Sequence, residues 1–582
     1  MNPPHHPDPG RVGQRGTRLA WLLVVLAGSF SIAASLWQRP NIDTDMGTCL
    51  LAAEQQRVGR SDRFHQLVDV DPGDLSRDRI QEITWWPPSY TIPAVLGKRA
   101  GIDWGRSLQF SFLFFWSIGI LGWALLFRRL ASGHVLPWLL LSLILFRYCH
   151  HSGYLYEGGE LMYWSLFPGI MLLNLLALEQ RDGGRWLVIL AGLATPCLVL
   201  LKYSAGISVL GIGSCWLLMA RTRQTSLPNL GCWTAAAVVA SAAILLGGQL
   251  PQGNPATSSG DWQWAALLWA PGAWTFAMSD LESLVRYLAV QPGRDILPGI
   301  GGGIQGGQIA LVSPVTLGVV AWLLICSRRL RPPGATGDDV PSRRLAETAV
   351  VVHLMVFTLV LTALILAGGA IHMDARLLRP ASLAVLPLLI MRAVRVVQSG
   401  DKMARYSGVT FLLVLVVLPA TYGAATLVDK SLFRSRSAAS KTGPLGIRHD
   451  LLGVDGNAKK FYKEIRQAIR EGGEGSVLYI IDPGMALPLA DQRLLIEHAH
   501  LRTVEHLEKK RYTGCPPGGV FLVLPGEFAA NGKLAVIENS FQDVDWQPIP
   551  LDSQPAWILK RGIPRITRDH PAGEEARPAV PP

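Results

Sequence analysis

Charged residues are scarce in this chain. They make up 17% of its 582 residues, whereas soluble proteins usually carry about 25%. Glycine and tryptophan, with 59 and 19 residues, are plentiful, as membrane helices and their interfacial belts allow. The shortage of charge indicates burial in lipid and excludes a chain that is soluble throughout.

Cysteine clusters and basic stripes are also missing. The seven cysteines are scattered and include no Cys-x-x-Cys pair, so the sequence indicates neither a metal cluster nor a disulfide framework. The net charge of +11 comes mostly from Lys and Arg in short clusters between apolar runs, where such residues orient helices. No basic stripe alternates with aromatic residues, and we therefore expect no nucleic-acid partner.

Long apolar runs dominate what is present. A membrane-spanning helix needs about 20 mostly apolar residues, and about eleven segments qualify. The sequence therefore predicts an α-helical multi-pass membrane protein with about eleven transmembrane helices. A cleaved signal peptide is an alternative for the first segment, but its apolar stretch is long for that role and favours a retained anchor. The predicted spans are 19–37, 107–127, 134–149, 161–178, 186–201, 204–220, 230–248, 308–326, 346–369, 380–397 and 408–428.

The distribution of basic residues predicts the orientation of these spans. With a cytoplasmic N-terminus, the inner segments carry eighteen Lys and Arg residues and the short outer loops carry five. This bias fits the positive-inside rule. The sequence thus predicts a protein of the inner or plasma membrane whose C-terminal domain is extracytoplasmic.

The same pattern predicts the order of domains. A C-terminal α/β domain is expected from a helix at 456–471, an apolar strand at 476–481, a second helix at 487–500 and strands near 519–524 and 556–560. The predicted parts are a disordered cytoplasmic N-terminus (1–18), a transmembrane domain (19–430) with large outer loops at 38–106 and 249–307, the extracytoplasmic α/β domain (443–565) and a disordered tail (566–582).

An acidic pair, Asp43 and Asp45, follows the first span. Alternate residues of an extended segment point the same way, so both carboxylates are expected to face one pocket. There, one would serve as a general base for an acceptor hydroxyl, and the pair could also hold a divalent metal. The structural alternative is that Thr44 or Asp45 caps the helix-like stretch 46–56.

Two basic groups interrupt apolar sequence at the predicted outer surface. Lys202 and Tyr203 separate two spans, and a lysine there suits a lipid-linked phosphate, or else snorkels to the headgroups. Arg376 and Arg379 enter the tenth span three residues apart, so on a helix they share a face that could clamp a phosphate. Pairing of Arg376 with Asp374 is the structural alternative.

For two further clusters the sequence gives weaker support for a functional role. His150, His151, Glu157 and Glu160 line a short outer loop, but adjacent side chains diverge, so a solvated loop is favoured over a metal site. The segment from Trp85 to Tyr90, which includes Trp86, predicts a rigid aromatic ledge that stacks a sugar or lies at the headgroup belt.

Taken together, these motifs resemble the GT-C glycosyltransferase superfamily of multi-pass membrane enzymes. The likeness rests on an acidic motif in a large first outer loop, on an aromatic-Pro-Pro-x-Tyr element ending that loop, on a Lys-Tyr turn and on an arginine-rich entry into a late span. These motifs are Asp43 with Asp45, Trp86 to Tyr90, Leu200 to Gly206, and Arg376 to Ala381.

The resemblance implies transfer of a sugar from a polyprenyl-phosphate donor to a glycan, lipid or protein acceptor by a single inverting displacement. Asp43 or Asp45 would then be the base, while Lys202, Arg376 or Arg379 would stabilise the departing phosphate. A transporter is one alternative, although the sequence shows no convincing internal repeat. The other alternative is a catalytically inactive relative that scaffolds envelope assembly.

Overall fold

The computed structural model divides the chain into two compact units. One comprises residues 1–46, 83–439 and 445–448, and the other comprises 47–82, 440–444 and 449–582. The predicted span 134–149, almost all of loop 249–307 and the tail 566–582 lie outside the described residues. The structure describes 39–42, 44–84, 87–130, 159–180, 184–246, 304–328, 340–367, 375–419, 421, 438–449, 451–453, 455–497, 504–565 and isolated positions within 18–36 and 267–275.

The first unit is helical. Short 3-10 turns at Pro88–Tyr90, Tyr203–Ala205 and Ala270–Gly272 interrupt its helices, and a π-helical turn at Leu413–Val417 follows the helix that ends at Leu412. The α-helices of this unit are Ile92–Arg99, Trp104–Leu130, Glu160–Glu179, Arg185–Ala194, Leu198–Leu201, Gly206–Arg221, Leu227–Leu246, Ile304–Arg328, Val340–Leu366, Ala375–Val397 and Lys402–Leu412.

Among the described residues, six helical segments are long and apolar enough to cross a membrane, and the chain is a membrane protein. Each coincides with a span expected from the sequence, because an apolar run of bilayer length has no other way to satisfy its backbone in lipid. The total of eleven spans stays a prediction. The six are Trp104–Leu130, Glu160–Glu179, Tyr203–Arg221, Leu227–Leu246, Ser342–Leu366 and Leu378–Val397.

The predicted span 186–201 is not one continuous helix. The helix that begins at Arg185 ends at Ala194, and a separate turn of helix runs from Leu198 to Leu201. Pro196 falls in the gap and cannot donate a backbone hydrogen bond to a helix. The break leaves a non-helical link at residues 195–197, one short helical turn before Lys202.

A buried amide ties the helices around this break together. The Asn174 side chain accepts hydrogen bonds from the indole nitrogens of Trp216 (2.9 Å) and Trp233 (3.0 Å) and donates to the Thr195 hydroxyl (3.0 Å). Polar side chains buried among membrane helices usually hydrogen-bond to neighbouring helices. Asn174 thus fixes the position at which the broken helix turns.

The second unit contains a five-stranded sheet and a two-stranded hairpin. In the sheet the strand order is β4-β3-β5-β7-β6, with β4, β3 and β5 parallel and the last two pairs antiparallel. The hairpin is antiparallel. The strands are β1 (Gln66–Asp71), β2 (Asp74–Glu82), β3 (Val477–Ile480), β4 (Arg493–Ile496), β5 (Val520–Pro525), β6 (Val544–Ile549) and β7 (Trp557–Pro564).

Helices complete this unit. The amphipathic helix Ala458–Gly472 buries Phe461 and Ile465, and the Phe461 ring meets Trp557 edge-on at 5.3 Å. The helix Thr44–Arg57 contains the boundary between the two units. Shorter helices span Ala438–Lys441, Pro483–Ala486, Val504–Glu508, Glu527–Ala530 and Lys533–Ser540, with a 3-10 turn at Leu487–Leu489.

The predicted second helix of the α/β domain, at 487–500, is wrong over its described part. Only the short turns 483–486 and 487–489 are helical there, and β4 follows at Arg493–Ile496. A segment of four residues is too short to show a distinct period, so parallel pairing with β3 decides its conformation. The hairpin β1–β2 was not predicted from the sequence.

The hairpin covers the edge strand β4. The Asp69 carboxylate accepts a hydrogen bond from the backbone nitrogen of Ile496 (3.2 Å) and one from Arg79 (3.0 Å). Arg493 in turn donates to the carbonyl oxygen of Leu75 (3.1 Å). Burial raises the pKa of Asp69 to about 6, although Arg79 acts in the opposite direction. Covering the edge removes unpaired backbone groups that would otherwise invite aggregation.

Acid is expected to destabilise the protein through His449. Its ring is buried against Tyr462, with centroids 5.4 Å apart, and burial lowers its pKa to about 3. An unfolded histidine titrates near 6.5, so the unfolded state gains protons first as the pH falls below that value. Each pH unit between about 6.5 and 3 then costs about 1.4 kcal/mol of stability.

The change His449→Phe tests this dependence. We expect the melting temperature of the wild type to fall more steeply between pH 6.5 and 4.5 than that of the variant, measured in the same detergent. Asp69 acts in the opposite direction over this range but is present in both proteins, so its effect cancels in the difference. Equal slopes for the two proteins would contradict the assignment to His449.

Candidate functional site

The acidic motif lies at the start of a helix. Thr44–Arg57 is helical, and Asp45 lies in its first turn, so the extended conformation expected for this motif is wrong at Asp45. The Tyr90 hydroxyl donates a 3.3 Å hydrogen bond to the Asp45 backbone carbonyl, and the Tyr90 ring is buried. Asp43 lies outside the described residues. Tyr90, near the end of the first outer loop, thus contacts the beginning of this helix.

The same aromatic segment also contacts the Lys202 turn. The Ser89 hydroxyl donates a hydrogen bond to the Leu200 carbonyl. Lys202 is extended, with φ −159° and ψ 131°, between the helical turn 198–201 and the 3-10 turn that contains the half-buried Tyr203. Residues from positions 45, 89–90 and 200–202 therefore meet within one unit.

A buried ion pair lies at this turn. The Lys202 ammonium donates to the Glu160 carboxylate, and each side chain is only 7% exposed. Glu160 is the first residue of the helix Glu160–Glu179. Lys202 is thus enclosed by protein rather than extended toward lipid headgroups, and its charge is matched by a carboxylate 42 residues earlier in the chain.

Glycine makes this close approach possible. A Cβ atom built at Gly159 would collide with the carbonyl oxygen of Leu201. The residue before Glu160 therefore has to lack a side chain for the two segments to touch. Gly159 positions Glu160 opposite Lys202.

One oxygen of Glu160 remains available within this arrangement. Its Oε1 accepts from Lys202, whereas its Oε2 is buried and has no hydrogen-bond partner in the described part of the chain. A buried carboxylate oxygen without a partner is costly, and such groups are concentrated at functional sites. Glu160 can therefore accept a hydrogen bond from a bound hydroxyl.

The arginine motif lies on a neighbouring helix. Arg379 is buried with 2% exposure, in the helix Ala375–Val397, which packs against Trp104–Leu130 and Glu160–Glu179. Arg376 belongs to the same helix, but its side chain, like Trp86, Asp374, His150, His151 and Glu157, lies outside what the structure describes. The hydrogen bonds of Ser89 and Tyr90 link the Lys202 turn to the acidic motif at Asp45.

The described residues contain no group of three His, Cys, Asp or Glu side chains that could hold a metal ion. Glu160, which the sequence grouped with two histidines as a possible metal site, instead pairs with Lys202. A divalent metal at Asp43 and Asp45 stays a hypothesis, because Asp43 lies outside the described residues.

Sequence reasoning missed the Lys202–Glu160 pair. A signal was present, since Glu160 and Lys202 are isolated charges at the ends of apolar runs, and such charges need partners near a bilayer. Matching isolated acids with isolated bases at the same predicted membrane face would have proposed this pair.

Comparison with solved structures finds similar chains at 12% sequence identity. This chain is similar to ArnT from Cupriavidus metallidurans, solved with undecaprenyl phosphate (TM-score 0.44, 12% identity, 93% of this chain and 97% of ArnT). It is also similar to the archaeal oligosaccharyltransferase AglB from Archaeoglobus fulgidus, solved with an inhibitory peptide and a dolichol-phosphate (TM-score 0.47, 12% identity, 89% and 70%).

No family model matches the chain, and no curated protein sequence matches it.

Proposed function

We propose that this chain is a membrane glycosyltransferase. It transfers a hexosyl or pentosyl group from a polyprenyl-phosphate donor to a hydroxyl of an extracytoplasmic glycan, lipid or protein acceptor. The observation that carries the proposal is the buried Lys202–Glu160 pair on an irregular turn, which Ser89 and Tyr90 link to the acidic motif at Asp45.

The energetics of this turn favour a functional role. Removing two opposite charges from water costs several kcal/mol per ion, and their attraction often only offsets that cost. Irregular backbone near membrane depth is tolerated where it is buried in protein or lines a cavity. A helix–helix contact alone needs neither feature, since apolar residues pack as well or better.

The proposed reaction is a single displacement with inversion. The acceptor oxygen forms a bond to the anomeric carbon while the bond from that carbon to the phosphate oxygen breaks. Asp43 or Asp45 takes the acceptor proton, and the electron pair leaves with the polyprenyl phosphate. Only one carboxylate has to act as a base in such a displacement.

Positive charge is proposed to stabilise the leaving phosphate. Lys202 provides a point charge, which suits a lipid-linked phosphate. Arg376 and Arg379 would add a planar clamp from the late helix. Trp86 and Tyr90 are proposed to flank the sugar, and Glu160 Oε2 is a further acceptor for one of its hydroxyl groups.

The proposal also includes the topology expected from the sequence. The N-terminus is placed in the cytoplasm, and the site and the 443–565 domain on the opposite side of a cell membrane. The domain would cover the site or hold the acceptor.

The deciding experiment measures turnover of a panel of polyprenyl-phosphate hexoses and pentoses in membranes that contain the protein. We expect one donor to be consumed with release of an equal amount of polyprenyl phosphate, quantified by mass spectrometry. Movement of a solute across liposomes, with no binding of any lipid-linked sugar, would support a transporter instead. Donor binding without turnover would point to an inactive scaffold.

A further inference from the structure

A basic cavity lies far along the chain from the Lys202 turn. It has a volume of about 350 Å³ and opens between the first turns of helix Val340–Leu366 and the last turns of helix Ala375–Val397. Its charged lining residues are three arginines and one glutamate, namely Arg343, Glu347, Arg392 and Arg395.

The charges in this cavity are not balanced. Arg343 donates from Nε to Glu347 at 2.9 Å and contacts the Met391 sulfur at 3.2 Å, so it is held in place and neutralised. In the described part of the chain no carboxylate forms an ion pair with Arg392 or Arg395, which lie three residues apart on one helix face. The cavity therefore carries an excess of positive charge.

The position of the cavity along the helices matches the depth of lipid headgroups. The apolar spans of these helices are Ser342–Leu366 and Leu378–Val397. Arg343 stands at the beginning of the first span, and Arg392 and Arg395 stand in the last turns of the second. Arginine side chains at span ends reach the membrane interface, where phosphates are concentrated.

We propose that this cavity binds the phosphate of an anionic glycerophospholipid. Arginine favours phosphate because its planar guanidinium donates two parallel hydrogen bonds. A volume of a few hundred Å³ is typical of small-ligand sites, and the exposed Thr348 adds a polar residue to the lining. The proposal does not depend on sugar transfer, because none of these residues belongs to the Lys202 turn.

A simpler role for the arginines is to orient the helices during insertion. The change of Arg392 and Arg395 together to lysine separates the two roles, because lysine keeps the positive charge but loses the planar pair of donors. A variant with both residues changed to glutamine removes the charge as well. The matched control changes the exposed Arg344 and Lys402, which do not line the cavity, to glutamine.

The test measures lipid binding to the purified full-length protein in detergent by native mass spectrometry. Phosphatidylglycerol, phosphatidylcholine and inorganic phosphate are titrated separately. We expect the wild type and the control to bind phosphatidylglycerol at least about tenfold more tightly than phosphatidylcholine, since one charge-assisted hydrogen bond accounts for about a factor of ten. The glutamine variant should lose that preference. The lysine variant should bind phosphatidylglycerol several-fold more weakly than the wild type does.

Three results would overturn the proposal. The first is equal binding of the two lipids by the wild type. The second is a loss of preference for phosphatidylglycerol in the control variant as large as that in the glutamine variant. The third is binding of inorganic phosphate as tight as that of phosphatidylglycerol. The last result would identify a site for free phosphate rather than for a lipid.

Discussion

Sugar transfer is expected to fail when Lys202 and Glu160 are replaced together by methionine and leucine, although the protein stays folded. Removing Lys202 alone leaves a buried carboxylate without its counter-charge, which costs about 3–5 kcal/mol. Removing both charges avoids that penalty, so the double variant should melt closer to the wild type than either single variant. Its transfer rate should nevertheless fall about 100-fold or more, the usual effect of losing one electrostatic group at a transition state.

The chain offers a matched control for this experiment. Arg129 and Glu179 form another ion pair between two membrane helices, and their replacement by methionine and leucine should leave transfer unchanged. The variant Lys202→Arg keeps the charge and should retain part of the activity. If the Lys202/Glu160 double variant transfers sugar at the wild-type rate, the pair is structural and the proposed phosphate role of Lys202 is wrong.

Loss of the proposed catalytic base should have a comparable effect. We expect Asp43→Asn or Asp45→Asn to lower the transfer rate at least about 100-fold, within the range for removal of a general base. Asparagine keeps the size of the side chain and can still cap a helix, so melting temperatures should change little. Donor binding should persist, because the change affects proton transfer rather than phosphate binding.

Asp401→Asn is the matched control, since Asp401 caps the helix Lys402–Leu412 by accepting from Met403 N. That variant should transfer sugar normally. The pH dependence adds a second readout, because an enzyme that has lost its base should lose the acidic limb of its rate profile. Normal turnover in both the Asp43 and the Asp45 variants would remove this motif from the mechanism.

The membrane helices were predictable because bilayer thickness dictates the length of their apolar runs. The helix Trp104–Leu130 and the helix Glu160–Glu179 both extend a few residues beyond the predicted spans, 107–127 and 161–178. Lipid thickness limits the apolar run, whereas helix ends depend on local contacts. The break at Pro196 was visible as a single proline, but its consequence depended on the Asn174–Thr195 hydrogen bond.

Side-chain partners were less predictable. Lys202, Tyr90 and Asp45 were selected from their positions, but their positions do not predict the distances between them. Glu160 was grouped with neighbouring histidines instead of with Lys202. In the second unit, β2 was missed because most of its residues are exposed and polar, and its stability comes from β1 and from Arg493 in the edge strand. Contacts between residues hundreds of positions apart leave no periodic pattern in either segment.

The hairpin on β4 has a consequence for biosynthesis. Residues 66–82 leave the ribosome early, whereas their partner strand at 493–496 is made some 400 residues later. At a synthesis rate of about 5–20 residues per second, β4 is made roughly 20–80 s after the hairpin. During that interval the backbone groups of the hairpin can pair with other chains. The nascent protein therefore needs either a chaperone or rapid synthesis of β4 to avoid mispairing.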